Sequence, residues 1–179
     1  MTKRKILTFG ASSSKHSINK RLAAYVANRL EEVEIDLIDL NDFEMPIYSI
    51  DKEKEMGFPE LAYQFKKHIS ECDAIIISFA EHNGAYTAAF KNIFDWISRI
   101  DKVVWDNKPM FLLSTSDGAR GAMTVLELAT NKFRRMNSAP VFSFSLPSFH
   151  ANFDEQSGIV NSELERKLDE MLGEFSKLL

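Results

Sequence analysis

Residues 6–30, ILTFGASSSKHSINKRLAAYVANRL, decide the fold predicted for this chain. The apolar run Ile6–Phe9 predicts a β-strand. After a short polar stretch, apolar residues recur at intervals of four and predict one face of an α-helix over residues 18–30; they are Ile18, Leu22, Val26 and Leu30. A strand, a loop of small polar residues and a helix in this order indicate the first half of a βαβ unit.

The same alternation of apolar runs and helical patterns recurs along the chain. Further strands are predicted at Val33–Leu40, Ala74–Ala80, Met110–Ser114 and Val141–Leu146. Helices are predicted at residues 60–71, 88–100, 120–135 and 162–178, and an acidic, Pro-containing loop through Pro59. Each parallel crossover needs a connecting helix, so we predict one α/β domain over residues 1–179, with three layers and a five-stranded parallel sheet.

Composition narrows the classes of function. The 179-residue chain has a formal net charge of −4, which disfavours nucleic acid as a partner. No apolar run reaches the length of a signal peptide or a membrane span, so we expect no membrane partner and a cytoplasmic location. The one cysteine, Cys72, allows no intrachain disulfide, and its place before an apolar strand predicts a buried thiol.

The loop at residues 10–17 has two interpretations. The simpler one is a turn in which Ser17 caps the following helix. The other is a phosphate site, because a helix N-terminus presents free N–H groups and a partial positive charge. Ser12, Ser14 and Ser17 would add hydroxyl donors there, and Asn19 an amide donor. The loop lacks both the Lys-Ser/Thr pair of a Walker A motif and the GxGxxG pattern of dinucleotide-binding folds.

Two more loops are candidates, because ligands of parallel sheets bind beyond the carboxyl ends of the strands. The loop after the third strand lies within residues 80–99, AEHNGAYTAAFKNIFDWISR, and its Asn83-Gly84 pair is a turn signal. The loop after the fourth strand, residues 114–121, reads STSDGARG. These three loops are expected to meet at one edge of the sheet.

Together, the first two loops resemble the NADPH-dependent FMN reductase family, whose members have a flavodoxin-like fold. The first family motif, Gly-Ser-x-Arg-x-x-Ser-x-Asn followed by Leu-Ala, is matched by Ser12, Ser17, Asn19, Leu22 and Ala23. The second, Pro-Glu-Tyr-Asn-Gly-Ser-x-Pro-Gly-x-Leu-Lys-Asn-x-x-Asp-Trp, is matched by Glu81, Asn83, Gly84, Lys91, Asn92, Asp95 and Trp96. The resemblance covers essentially the whole chain and implies a flavodoxin-like three-layer sandwich with strand order 2-1-3-4-5.

The resemblance also implies an FMN site. The residues implied at the phosphate are Ser12, Ser14, Ser17, Ile18 and Asn19. Those along the isoalloxazine ring are Glu81, His82, Asn83, Gly84 and Ala85; for His82, a plain loop residue is the alternative. Those at the pyrimidine end are Ser114, Ser116 and Gly118, where a plain turn into a helix is the alternative. No metal and no catalytic side chain are expected, because the flavin carries the chemistry.

The activity implied by the resemblance is the transfer of a hydride from NADPH or NADH to flavin N5, and then to a flavin, quinone or other small-molecule electron acceptor by ping-pong turnover. Family members commonly form homodimers or homotetramers, and the helix at 88–100, with Trp96 on its exposed side, is the candidate contact; alternatively, Trp96 covers the core. Two other functions stay open: a flavodoxin-like electron carrier, and a flavin-free regulatory or binding domain of the same fold.

Several positions depart from the family pattern. Ser14 stands where the family often has an arginine, Ala80 and Thr87 replace prolines, and His82 replaces a tyrosine. The loss of a charge-assisted hydrogen bond to the phosphate predicts weaker FMN retention than in typical relatives. Lys15 would compensate in part.

Overall fold

A computed structural model describes residues 3–179 and confirms the alternation of strands and helices. The strands are β1 (Arg4–Ala11), β2 (Val33–Leu37), β3 (Ala74–Phe79), β4 (Glu81–His82), β5 (Ala85–Tyr86), β6 (Met110–Thr115), β7 (Val141–Leu146), β8 (Phe153–Asp154) and β9 (Gly158–Ile159). The α-helices are α1 (Ile18–Ala27), α2 (Ile50–Met56), α3 (Glu60–Glu71), α4 (Ala88–Ile100), α5 (Met123–Met136), α6 (Phe149–Asn152) and α7 (Ser162–Ser176). One 3-10 helix covers Leu40–Phe43.

Five of the strands form one parallel sheet in the order β2-β1-β3-β6-β7. Since β6 and β7 are the fourth and fifth strands predicted from the sequence, the predicted order 2-1-3-4-5 is confirmed. Every residue of β3 and β6 is buried, as their continuous apolar runs require. The short strands β4 and β5 form one antiparallel hairpin, and β8 and β9 form another.

Helices cover both faces of the sheet and complete the three layers. On one face, Phe65 of α3, Phe90 of α4 and Phe133 of α5 belong to one buried cluster. On the other face, Leu22 of α1 and Phe175 of α7 belong to a second buried cluster. Apolar residues that recur at helical spacing in the sequence are therefore the ones that these helices pack against the sheet.

The segment between β2 and Pro59, predicted as a loop, contains a 3-10 helix and α2. A polar side chain caps the N-terminus of each helix. The Asp39 carboxylate accepts from the Asn41 N–H, and the Ser49 hydroxyl accepts from the Lys52 N–H. Because α2 buries none of its residues, it has no apolar face from which a helix could be predicted.

The predicted start of the helix after the fourth strand is also wrong, since α5 begins at Met123 rather than at residue 120. Gly121 and Ala122 have φ angles of 57° and 58°. A left-handed backbone at two successive residues cannot belong to a right-handed helix. The third loop therefore extends to Ala122.

Trp96 is fully buried, so the prediction that it lies on an exposed side of α4 is wrong and the alternative is correct. Its Nε1 donates to the Pro46 carbonyl at 2.8 Å. One turn earlier, the Asn92 Oδ1 accepts from the Tyr48 N–H at 2.8 Å, and its Nδ2 donates to the carbonyl of Met45 at 3.0 Å. These motif residues of α4 hold residues 45–53, which we call the strap.

Gly10 permits the close crossing of β1 and α1. A Cβ on Gly10 would lie 2.7 Å from the Cα of Lys20 and 3.0 Å from the carbonyl carbon of Asn19. Both contacts are with helix backbone, which cannot move aside without displacing α1. The glycine at this position is therefore required by packing, and it sets where α1 begins relative to the sheet edge.

Substitution Gly10→Ala should destabilise the fold by about 1–3 kcal/mol, because an inserted methyl forces backbone shifts in a close-packed region. Urea denaturation measures this loss. The matched control is Gly173→Ala in α7, where an added Cβ meets nothing within 4 Å. The control should gain about 0.5–1 kcal/mol from helix propensity, and equal effects at the two glycines would contradict the close crossing.

Candidate functional site

The three loops lie beyond the carboxyl ends of β1, β3 and β6: the first loop (residues 12–17), the second loop (residues 80–87) and the third loop (residues 116–122). The connection from β1 leads to β2 on one side, whereas β3 lies on the other side of β1. Strand order therefore reverses between β1 and β3. Such a switch point opens a crevice in which open parallel sheets bind ligands.

The first loop presents a set of free backbone donors. The Ser17 hydroxyl accepts from the Lys20 N–H at 3.1 Å, which confirms the predicted helix cap. Five further N–H groups make no hydrogen bond to any of residues 3–179; they belong to Ser13, Lys15, His16, Ile18 and Asn19. Unpaired N–H groups at the positive end of a helix suit a phosphate.

Side chains of the first loop and its surroundings add further polar groups. The Ser12 hydroxyl accepts from the Ser14 N–H at 3.1 Å, so its own proton is free to be donated. Lys20 is neutralised, because its Nζ donates to Asp39 at 2.5 Å. Burial alone would raise the pKa of Asp39, but hydrogen bonds from Lys20 and Asn41 lower it. Lys15, exposed and without a carboxylate partner in residues 3–179, is the cation left for a ligand.

Asn19 has a different role from the one expected. Its side chain is buried, and its Nδ2 donates to the Thr115 carbonyl at 3.1 Å. Its Oδ1 accepts from the Ser78 hydroxyl at 2.7 Å and from the Thr115 N–H at 3.1 Å. The amide joins α1 to β3 and β6 beneath the loops, so its hydrogen bonds are committed within the protein; the backbone N–H of Asn19 makes no hydrogen bond within residues 3–179.

The second loop is a tight hairpin. Asn83 and Gly84 have φ angles of 53° and 73°, as a two-residue type I′ turn requires. His82 and Ala85 pair across the hairpin and are exposed beside this turn. The Glu81 side chain turns away from the tip, because its Oε2 accepts from the Val125 N–H of α5 at 3.0 Å.

Thr87, which replaces a family proline, braces the second loop against the first. Its buried hydroxyl donates to the Ala11 carbonyl at 3.0 Å and accepts from the Phe90 N–H at 3.2 Å. It thereby caps α4 and ties this cap to the end of β1. This contact could not be predicted from the sequence, since the carbonyl that Thr87 binds lies 76 residues away along the chain.

In the third loop, the structure separates one expected site residue from the other two. Ser114 is fully buried and its hydroxyl donates to the Gly121 carbonyl at 2.7 Å, so its hydrogen bond is committed within the protein. Ser116 and Gly118 lie at the accessible rim. Their carbonyls accept from the N–H groups of Phe149 and Ser148 at 3.0 Å each, which fixes the loop against the start of α6.

The described residues show neither a reactive thiol nor a metal-binding cluster nor a membrane-spanning helix. Burial raises the pKa of the Cys72 thiol to about 11, so it is protonated near neutral pH. Within residues 3–179, no group of three or more acidic, His or Cys side chains is arranged to hold a metal ion. No helix of this part is both long and apolar enough to cross a bilayer.

A doubly wound parallel sheet with this strand order, with a helix N-terminus and a glycine turn at its switch point, defines a flavodoxin-like fold. A family model for NADPH-dependent FMN reductase matches residues 4–151. The chain belongs to this family, and the resemblance inferred from its two motifs is confirmed.

Relatives support the same class of protein. The chain is 34% identical over 119 residues to a 2-hydroxy-1,4-benzoquinone reductase from Burkholderia sp., an alignment that covers 65% of this chain and 63% of that protein. It is 27% identical over 143 residues to an NADPH:quinone oxidoreductase from Arabidopsis thaliana, covering 78% and 71% of the two chains. The chain thus spans less than two thirds of the Burkholderia relative.

Solved structures confirm the fold. The NAD(P)H:(acceptor) oxidoreductase FerB from Paracoccus denitrificans superposes with a TM-score of 0.73 at 22% identity, over 98% of this chain and 96% of that one. An FMN-dependent NADH-azoreductase from Bacillus anthracis, solved with FMN, superposes with a TM-score of 0.65 at 14% identity, over 98% and 99%. At these identities the likeness concerns the fold alone.

Substitution Asn19→Ala should lower the free energy of unfolding by about 2–4 kcal/mol, because it leaves the buried Ser78 hydroxyl and Thr115 N–H without an acceptor. Urea denaturation measures the loss. Asn28→Ala is the matched control, since it removes an exposed amide bonded to the Ala24 carbonyl and should cost within about 0.5 kcal/mol. Equal losses in the two variants would contradict a central role for Asn19.

Proposed function

We propose that this protein is an NAD(P)H-dependent, FMN-containing oxidoreductase that reduces a small electron acceptor, with quinones as the favoured class. The observation that carries the proposal is the first loop, where Lys15 and five N–H groups without a partner in residues 3–179 lie at or just before the start of α1, at the switch point of the sheet. This arrangement fits a dianionic phosphate monoester. The quinone class is favoured because the Burkholderia and Arabidopsis relatives are named quinone reductases.

The residues present fit FMN as follows. The hydroxyls of Ser12, Ser14 and Ser17 and the N–H groups of Ile18 and Asn19 would hold its phosphate. The second-loop tip, His82–Ala85, would lie along the isoalloxazine ring. Ser116 and Gly118 would border its pyrimidine end. The proposal leaves out the side chains of Asn19, Glu81 and Ser114, because each is committed to a contact within the protein.

FMN, when bound, would supply the two-electron chemistry, which requires no nucleophile from the protein. The protein's part would be to grip the phosphate, orient the ring against the hairpin and leave one ring face accessible. A single accessible face would serve donor and acceptor in turn, which is the basis of ping-pong turnover. A nicotinamide cofactor is the proposed donor, and both NADPH and NADH are compatible with the site.

We also propose that the protein is a homodimer or homotetramer whose contact is the strap rather than Trp96. The strap carries two exposed apolar side chains, Ile47 at 78% and Ile50 at 46% exposure. It is held firmly, since Arg99 donates from Nε and a terminal nitrogen to both carboxylate oxygens of Glu53, at 2.9 and 3.2 Å. Sedimentation analysis tests the proposed oligomer, and a monomer at all concentrations would contradict it.

A cytoplasmic location and one FMN-binding domain over residues 1–179 stay predictions.

Anaerobic titration with NADPH tests the proposed function. The protein is first incubated with FMN and separated from free flavin, and its visible absorption spectrum is then recorded. We expect rapid bleaching of the flavin band by NADPH and return of the colour when a benzoquinone is added. Bound FMN that NADPH does not bleach would instead identify an electron carrier, and failure to bind FMN would identify a flavin-free domain.

Substitution Ser14→Arg should tighten FMN binding by about ten- to a hundredfold, because it restores a charge-assisted hydrogen bond to the phosphate. Ser14 is exposed and its hydroxyl makes no hydrogen bond within residues 3–179, so the arginine displaces no contact. Fluorescence titration measures the dissociation constant. Ser70→Arg, which adds the same charge on α3, is the control; an equal gain in both variants, or none in Ser14→Arg, would contradict this prediction.

A further inference from the structure

Helix α5 begins without a cap of its own. Ala122 occupies the N-cap position with a left-handed φ of 58°, offers no side-chain hydrogen bond, and is followed by no acidic residue in the first turn. The first N–H groups of a helix need acceptors from elsewhere. Glu81 of the second loop supplies one, because its Oε2 accepts from the Val125 N–H at 3.0 Å.

The first turn of α5 also contacts the two neighbouring loops. A Cβ built on Gly84, at the tip of the second loop, would lie 3.8 Å from the Thr124 methyl carbon. Arg120 of the third loop donates to the Thr124 hydroxyl at 3.1 Å. Glu81, Thr124 and Arg120 thus connect the second loop to the third through one helical turn.

We infer that Glu81 is a positioning residue that sets the spacing between the second and third loops. Its carboxylate is a stronger acceptor than a neutral group and lies at the positive end of a helix, where negative charge is favourable. The hairpin that carries Glu81 cannot shift relative to α5 without breaking this bond. The consequence for flavin binding rests on the proposed function, which places the isoalloxazine ring between these loops. The link between the two loops does not rest on that function, because the hydrogen bond of Glu81 is present without a flavin.

Amide hydrogen exchange of the flavin-free protein tests the link directly. In Glu81→Ala the Val125 N–H loses its acceptor, and we expect it to exchange about ten- to a hundredfold faster. Glu81→Gln keeps a carbonyl oxygen at the same reach and should show a smaller increase. Glu127→Ala, which removes an exposed carboxylate of α5 with no hydrogen bond in residues 3–179, should leave Val125 unchanged.

The dissociation constant for FMN, measured on the same variants, tests the positioning role. We expect about tenfold weaker binding in Glu81→Ala, rescue to within about threefold of wild type in Glu81→Gln, and no change in Glu127→Ala. Unchanged Val125 exchange in Glu81→Ala, or equal FMN affinity in the Ala and Gln variants, would overturn the inference.

Two outcomes are kept separate by this design. If the wild-type protein binds no FMN, the proposed function fails while Val125 exchange still decides whether Glu81 links the loops. If Glu81→Ala does not fold, Glu81→Gln is compared with wild type: faster Val125 exchange supports the link, and identical exchange overturns it.

Discussion

The buried amide of Asn19 is the interaction on which the arrangement of the loops depends. It satisfies groups of β3 and β6 at once, and so it fixes the first turn of α1 over the carboxyl ends of two strands. Gly10 allows the helix to come this close. Because the turn is held from below, the first loop keeps its place at the switch point of the sheet, and its N–H groups without a partner in residues 3–179 are the donors that the proposed phosphate site requires.

Hydrogen bonds tie the second and third loops to the neighbouring strand and helices. Thr87 ties the second loop to the end of β1, Glu81 ties it to α5, and the start of α6 holds the third loop through backbone bonds. A ligand that enters a frame already in place loses less free energy to ordering the protein. Polar side chains such as Asn19, Glu81 and Thr87 therefore hold the loops in place rather than face a ligand.

Much of this fold was predictable, because β3 and most of β6 are apolar runs of strand length, β7 is rich in Val, Phe and Leu, and α3 and α4 repeat their apolar residues at helical spacing. The site was predictable as three loops but not residue by residue. Asn19 and Ser114 belong to polar stretches that resemble ligand-binding loops, and their inward direction depends on how α1 and the third loop cross the sheet. The burial of Trp96 could not be predicted either, since the strap that packs over it shows no helical or strand pattern in the sequence.

The state of the single thiol bears on how this protein would withstand its surroundings. Quinones and other electrophiles add to thiolates, whereas a protonated thiol reacts slowly. Cys72 is sealed within the core and keeps its proton, and the sequence contains no second cysteine. If quinones are the acceptors, as proposed, the given sequence offers them no exposed sulfhydryl to modify.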